Sequence, residues 1–369
     1  MKLVQTREAL LEVLQATLGA VEKRHTAPIL ENVLLRIQQG QTYWRGTDLE
    51  LEIAMQLPSL DSTDGLITLP ARKLADICKS LANESLVHIE SMNEQRARVT
   101  SGRSRFELAT LPATDFPELE DIGDLHSFEL PENVFKRLLD RAAYAMANQD
   151  VRYYLNGMLL EINNAGVRTV STDGHRLAMC FYNETMTDIT QTYQFIIPRK
   201  GVMELSKLLR NDCQMPLQIQ ASQNHLRVQL DNLRFTTKLI DGRYPDYRAA
   251  VPQSGQIQVD VDRKTFKEIL TRVAILSNEK FRGVRLTLVD NLLQVQAHNP
   301  EQEVAMDELD IHYSGKEFTI AFNVNYLLDA VNNLQGDTLR LHCNAPESSV
   351  LLTDPEDDTI RSVIMPIRL

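Results

Sequence analysis

Apolar and polar positions alternate in three stretches that align with one another without gaps: Val33 to Asp48, Met158 to Asp173 and Val284 to Asn299. In each, apolar residues recur at every second position (Leu35 and Ile37, Leu160 and Ile162, Leu286 and Leu288), turn residues follow, and a second extended run closes the stretch. This pattern predicts a β-hairpin with one buried face. Three further stretches carry helical spacing. Leu74, Ile77 and Leu81 follow Pro70 at the same intervals as Val202, Leu205 and Leu209 follow Pro198, and as Leu327, Ala330 and Leu334 follow Asn323. These offsets place the apolar residues on one face of a helix. A second helix is predicted in each unit from REALLEVL, FKRLLDRAAYAM and FKEILTRVAIL. Phe116-Pro117 and Tyr244-Pro245 close the first two units.

The chain is therefore expected to hold three versions of one α+β unit, each with two helices on antiparallel sheets. The expected domains are residues 1–125, 126–253 and 254–369, with Pro252 to Gly255 (PQSG) as a linker. A length of 369 residues fits two or three domains. No run of 18 apolar residues predicts a membrane span, and the start, MKLVQTREALLEVL, has no export signal. Cys78, Cys180, Cys213 and Cys343 are scattered without a CxxC pair, and read as buried, reduced thiols of a cytoplasmic protein rather than a metal or redox site.

Charge alters this picture. The net charge of −11 excludes a surface coated for nucleic acid, yet the six predicted helices sum to +6 and everything else to −17. A basic helical surface inside an acidic shell suits a polyanion held on one side. With no aromatic residues mixed into the basic segments and no base-reading motif, the expected contact is sequence-neutral, to the phosphates of duplex DNA.

Size then decides the assembly. A domain of this length has a diameter of about 35 Å. Three in a ring leave a hole of only ~5 Å, against a duplex whose major groove alone is ~12 Å wide. Six leave a hole of about 35 Å, so two chains are expected to close a six-domain ring. Complementary ends are present. The first domain has Arg96, Arg98, Arg103 and Arg105 with Phe106 and Leu108; the third has Glu301, Glu303, Asp307 and Glu308 with Ile275 and Leu276. These surfaces are expected to meet head to tail in a homodimer.

Several motifs, VTSGRSRFELATLP, QDVRYYLNGMLLE, TDGHRLA, PRKGVMEL, DGRYPDYR, AILSNEKFRGVRL, NPEQE and the terminal VIMPIRL, occur in order along the chain. In these the whole chain resembles the bacterial DNA sliding clamps, the beta subunits of replicative DNA polymerases. The resemblance implies a homodimeric ring that encircles duplex DNA, slides on it as a processivity factor, and tethers polymerases, the clamp loader and repair or translesion proteins through a hydrophobic cleft. The matching cleft positions are Leu155, Thr172, Gly174, His175, Arg176, Leu177, Pro245, Asn323, Tyr326, Ser349, Val363, Met365, Pro366 and Arg368. For DNA contact it points to Arg24, Gln149, Arg199 and Lys200. The sequence departs from the family where Ala249-Ala250 replaces the usual Arg-Val, which alters the cleft rim. No cofactor or metal is implied.

Two rival readings are weaker. Asp173 and His175 in TDGHR form no catalytic set, because no Gly-x-Ser-x-Gly, phosphate loop or metal-spaced histidines accompany them. A monomeric three-domain scaffold that binds proteins but not DNA is separated from the ring by its mass.

Overall fold

The computed structural model describes residues 1–22, 27–118, 122–123, 126–186, 189–252 and 255–368. Arg24 and the expected domain boundaries at 125 and 253 lie outside the described residues.

Each repeat opens with a strand that runs into a helix: α1 (Arg7–Thr17), α3 (Glu132–Ala143) and α5 (Arg263–Val273). The predicted hairpins follow, at Asn32–Gln38 with Gln41–Thr47, Gly157–Asn163 with Gly166–Thr172, and Gly283–Val289 with Leu292–His298. The second helix comes after a further strand: α2 (Ala71–Ser80), α4 (Arg199–Leu208) and α6 (Val324–Asn333). Helix starts are fixed chemically. The side chains of Thr6, Asp262 and Asn323 accept from the backbone N–H groups of Ala9, Thr265 and Asn325 at 3.3, 2.7 and 2.9 Å, satisfying donors that the first turn leaves open. The predicted apolar faces of α4 and α6 are buried. In α2 the face is turned slightly. Leu74, Ala75 and Cys78 are buried while Ile77 and Leu81 are half-buried. The Cys78 thiol is pushed up to about 11 by burial, so it stays protonated and unreactive. Cys213, expected to be buried, proves to be only half-buried.

Among the described residues the strands form two eight-stranded sheets, one five-stranded sheet and one four-stranded sheet. All neighbouring strands are antiparallel. The eight-stranded sheets are each built from two repeats. In one, Leu51–Pro58 of the first repeat pairs with Leu233–Lys238 of the second, Ala54 opposite Arg234. In the other, Arg176–Tyr182 of the second pairs with Asp357–Ile364 of the third, Met179 opposite Arg361. Because strands cross from repeat to repeat, the chain groups into two compact units: residues 1–133 with 203–239 (unit 1), and 134–202 with 240–369 (unit 2). The five-stranded sheet ends on Ser104–Ala109 and the four-stranded sheet on Val304–Asp310, each paired on one side only. No helix among the described residues is long and apolar enough to cross a membrane.

Candidate functional site

The sheet of unit 2 carries an apolar cluster at the junction of its two repeats. Leu155, Val170, Leu177, Met179, Tyr244, Tyr247, Leu351 and Val363 pack together, with Tyr154, Phe181, Ala250 and Val251 against them. Three expected residues, Leu155, Leu177 and Val363, thus meet. Leu177 and Val363 sit directly opposite each other on adjacent strands. Sequence reasoning missed Val170, Tyr244, Tyr247 and Leu351. The alternation in VRTVST and the paired tyrosines of RYPDY were the available signal.

The loop beside this cluster is held by its own polar side chains. Thr172 Oγ1 donates to the carbonyl of Arg176 at 2.6 Å and accepts from the Gly174 N–H at 3.1 Å. Asp173 accepts from the backbone of His175 and Arg176 at 2.9 and 3.0 Å. Tyr244 Oη, at 3.1 Å, accepts from the Thr172 N–H. Gly174 has φ +89°, and a Cβ there would lie 3.0 Å from the Arg152 guanidinium, so only glycine lets the loop turn beneath that side chain. Arg152 in turn pairs with Asp150 at 2.9 Å, and its hydrogen bonds hold the Asp150 carboxyl down to about 2.

Arg176 is the hub. Its guanidinium donates to Asp173 Oδ2 at 3.1 Å, to the Tyr144 carbonyl at 2.9 Å and to Asp329 on α6. It also lies over the rings of Tyr326 and Tyr144, at 4.6 and 5.3 Å. Tyr326 stacks on His175 at 6.3 Å between centroids. Burial pushes the Tyr144 hydroxyl up to about 12, and that hydroxyl donates to Ser362 at 2.8 Å. With only 14% of its side chain exposed, Arg176 is a clamp that ties α6 to the strand. Arg176→Ala should remove the ion-pair partner of Asp173 and of the half-exposed Asp329 and cost about 2 kcal/mol. It should also weaken binding of any ligand in the cleft at least tenfold; urea denaturation and peptide titration check the two effects.

The tail crosses the same place. The Met365 N–H donates to the His175 carbonyl and the Ile367 N–H to that of Ala321, both at 2.8 Å. Met365 remains 40% exposed. Ser349 Oγ donates to the Ala250 carbonyl at 3.4 Å. Pro245 is exposed, Pro366 half-buried and Arg368 exposed. Asn323 serves as the cap of α6. The arrangement joins an apolar cluster, an exposed methionine on the adjoining tail, and carbonyl and hydroxyl groups close by. It suits an extended apolar peptide. Ala250 packs on the cluster, while Ala249 is exposed and carries no charge.

Of the residues expected at DNA, Gln149 is exposed with φ 57°, Lys200 is exposed on α4, and Arg199 donates to the Met146 carbonyl at 2.9 Å. At the expected interface Arg103 and Arg105 are exposed, Phe106 is half-buried and Leu108 is buried. Ile275 is 77% exposed, Leu276 half-buried, and Glu301 and Glu303 are exposed. No group of residues suited to a metal ion occurs among the described residues.

Comparison with known proteins gives three family matches in chain order. They are the N-terminal domain of the DNA polymerase III beta subunit over residues 1–120, its central domain over 129–246 and its C-terminal domain over 248–368. The beta sliding clamp of Pseudomonas aeruginosa is 46% identical over 364 residues, covering 98% of both chains. That of Escherichia coli K12 is 43% identical over 370 residues and covers both chains fully. Among solved structures, the Pseudomonas aeruginosa sliding clamp bound to griselimycin superimposes over the whole of both chains, with a TM-score of 0.95 at 45% identity.

Proposed function

The chain belongs to the DNA polymerase III beta subunit family, the beta sliding clamps, and we propose that two copies close head to tail around duplex DNA and hold partner proteins through the unit 2 cleft. It is a non-enzymatic processivity factor that works with DNA and polymerase.

One observation carries the ring reading: the fold contains two complete junction sheets and two halves of a third. Thr47 and Glu52, Thr172 and Leu177, and His298 and Val304 are equivalent pairs in the three first-half hairpins. Thr100 and Arg105, Gln229 and Arg234, and Thr353 and Arg361 are equivalent in the second halves. On this alignment Met306 corresponds to Ala54 and Met179, and Arg105 to Arg234 and Arg361. Those positions face each other at both in-chain junctions. The edge strands Val304–Asp310 and Ser104–Ala109 therefore carry the register of a third junction, Met306 opposite Arg105, Ala305 opposite Phe106 and Glu308 opposite Arg103. A second copy supplies the missing half. Unpaired edges left open would invite aggregation, and closure removes both at once.

In this reading the domains divide near residues 125 and 253, and the protein acts in the cytoplasm. Gln149, Arg199, Lys200 and Arg24 meet phosphates. The cleft of Leu155, Leu177, Val363 and Met365, edged by His175, Tyr326 and Ser349, takes short motifs from the replicative polymerase, the clamp loader, and repair and translesion proteins. Arg176, Asp173 and Asp329 keep that cleft in shape. Holding a polymerase on its template raises the local concentration at the primer end, so dissociation no longer ends synthesis. Addition of the protein with a clamp loader and polymerase to a primed single-stranded circle should lengthen the products of one binding event at least tenfold. Unchanged product length would reject the reading.

A further inference from the structure

The sheet face that carries Leu177 and Val363 continues past them. Two residues along the same strands, Met179 stands opposite Arg361, and two further on Phe181 stands opposite Arg168. A step of two residues keeps a side chain on one face of a sheet and covers about 7 Å. Here the surface of unit 2 hollows into a concavity of about 470 Å³, lined by Met179, Phe181, Tyr247 and three arginines, Arg168, Arg248 and Arg361. Met179 and Tyr247 are members of the apolar cluster, so the concavity shares a wall with the cleft. Its volume falls within the ~300–1,000 Å³ of ligand clefts.

Charge in this concavity is one-sided. Among the described residues that line it, none is acidic. Glu161 lies beneath, with its side chain 0% exposed. It accepts from Arg248 at 2.9 Å and from the Tyr247 hydroxyl at 3.2 Å, and lies 3.4 Å from Arg168. That carboxylate serves two guanidinium groups and is closed to any ligand. Asp246 stands 4.0 Å from Arg248 and is exposed. Three positive charges therefore meet two negative ones, and the remaining charge resides on Arg361. Arg361 makes no hydrogen bond or ion pair among the described residues. Its guanidinium lies over the Phe181 ring at 5.4 Å, and that of Arg168 over the same ring at 5.5 Å. Stacking occupies the face of a guanidinium and leaves its in-plane N–H donors for an acceptor. Two like charges over one ring repel each other, and an anion that enters beside them removes the repulsion.

We propose that Arg361, with Arg168 and Phe181, forms an acid-binding extension of the cleft, which takes a carboxylate of the partner peptide two to four residues from the apolar anchor on Leu177 and Val363. The inference rests on the reading of the cleft as a peptide site. The spacing follows from geometry, because an extended peptide rises about 3.3 Å per residue and the concavity spans one to two steps of two residues from the Leu177–Val363 pair. A carboxylate in these donors makes charge-assisted hydrogen bonds. DNA is disfavoured as the occupant, since it presents a continuous row of phosphates, whereas this concavity offers one unpaired guanidinium between apolar walls. The extension ranks partners: a segment with an acid beside its anchor binds more tightly than a neutral one.

Two labelled, acetylated octapeptides, DDSLLSDD and its amide counterpart NNSLLSNN, test this by fluorescence anisotropy at about 50 mM salt, where screening is weak. The proteins are the full chain and its Arg361→Gln and Arg361→Glu variants. The wild type should bind the acidic peptide at least tenfold more tightly than the amide. That ratio should fall below threefold in Arg361→Gln and below one in Arg361→Glu. A loosened fold would weaken both peptides together, so the ratio reads the concavity itself. Equal affinity of the wild type for the two peptides, or a tenfold ratio that survives Arg361→Gln, refutes the extension and leaves the cleft standing. Failure of both peptides to bind at millimolar protein refutes the cleft reading and the extension with it. Displacement of the acidic peptide by a twelve-residue oligothymidylate that itself loses affinity on Arg361→Gln would assign the concavity to nucleic acid instead.

Discussion

Deletion of residues 365–369 should reduce binding of a polymerase-tail peptide by a hundredfold or more and leave the assembly mass unchanged. The tail is fixed at two points, Met365 to the His175 carbonyl and Ile367 to that of Ala321, and Met365 stands 40% exposed two residues after Val363 of the apolar cluster. Burying a Met side chain contributes about 1.5–3 kcal/mol. Losing that contact together with the wall formed by Pro366 and Ile367 corresponds to a factor of about a hundred. The cut must start at Met365. Val363 and Ile364 belong to the strand that pairs with Leu177 and Arg176 and are buried. A deletion that began at Val363 would open the junction sheet and destroy the site and the fold together. Isothermal titration and sedimentation equilibrium read the two outcomes, and peptide affinity that survived the cut would remove the tail from the site.

The second large effect concerns the chain ends. Arg103→Glu with Arg105→Glu should convert the assembly to monomers at micromolar concentration, because Arg103 then faces Glu308 with like charge and both edges repel. Adding Glu308→Arg should restore much of the dimer, an outcome that general misfolding would not produce. The register makes a sharper demand. Opposed Cα atoms in an antiparallel pair are about 4.5–5.5 Å apart, within the range that a disulfide spans. Arg105→Cys combined with Met306→Cys should therefore crosslink between copies on oxidation. Arg105→Cys with Asp310→Cys, four residues along the strand, should not. Crosslinking of the second pair and not the first would mean a different register. Monomeric mass in the wild type would mean no ring.

How far the sequence foretold this structure varies with the kind of interaction. The hairpins and helices were legible because burial imposes a period of two or of 3.6 residues, and Leu35, Ile37, Leu160, Ile162, Leu205 and Leu327 all lie in the core. The shared sheets were not. Pairing of Leu51–Pro58 with Leu233–Lys238 joins residues far apart in the chain, and no local pattern records it. The same limit applies to the site. Leu177 and Val363 were named through resemblance, but their facing each other is a property of the strand register. The Arg176 clamp includes Asp329 and Tyr144; Asp329 lies on α6, whose spacing marks only the core face, and Tyr144 in the turn that follows α3. Asn323, expected in the cleft, also caps α6. The residue type, an amide before a helix, carries both meanings. The ion pairs of buried Glu52 with Arg45 and Arg234 were invisible because the three residues stand on three different strands.

The charge segregation has a consequence for binding. The six helices sum to +6 in a chain of net −11, so few phosphates are met at once and salt screens those contacts within about 8–10 Å. Retention must come from enclosure. The most direct measurement loads the protein onto nicked circular DNA with a clamp loader, isolates the complex at 0.2 M salt and then cuts half of it with a restriction enzyme. The account predicts that the protein stays on the circle and leaves the linear molecule within minutes. Equal loss from circle and linear DNA, or equal retention, would contradict it.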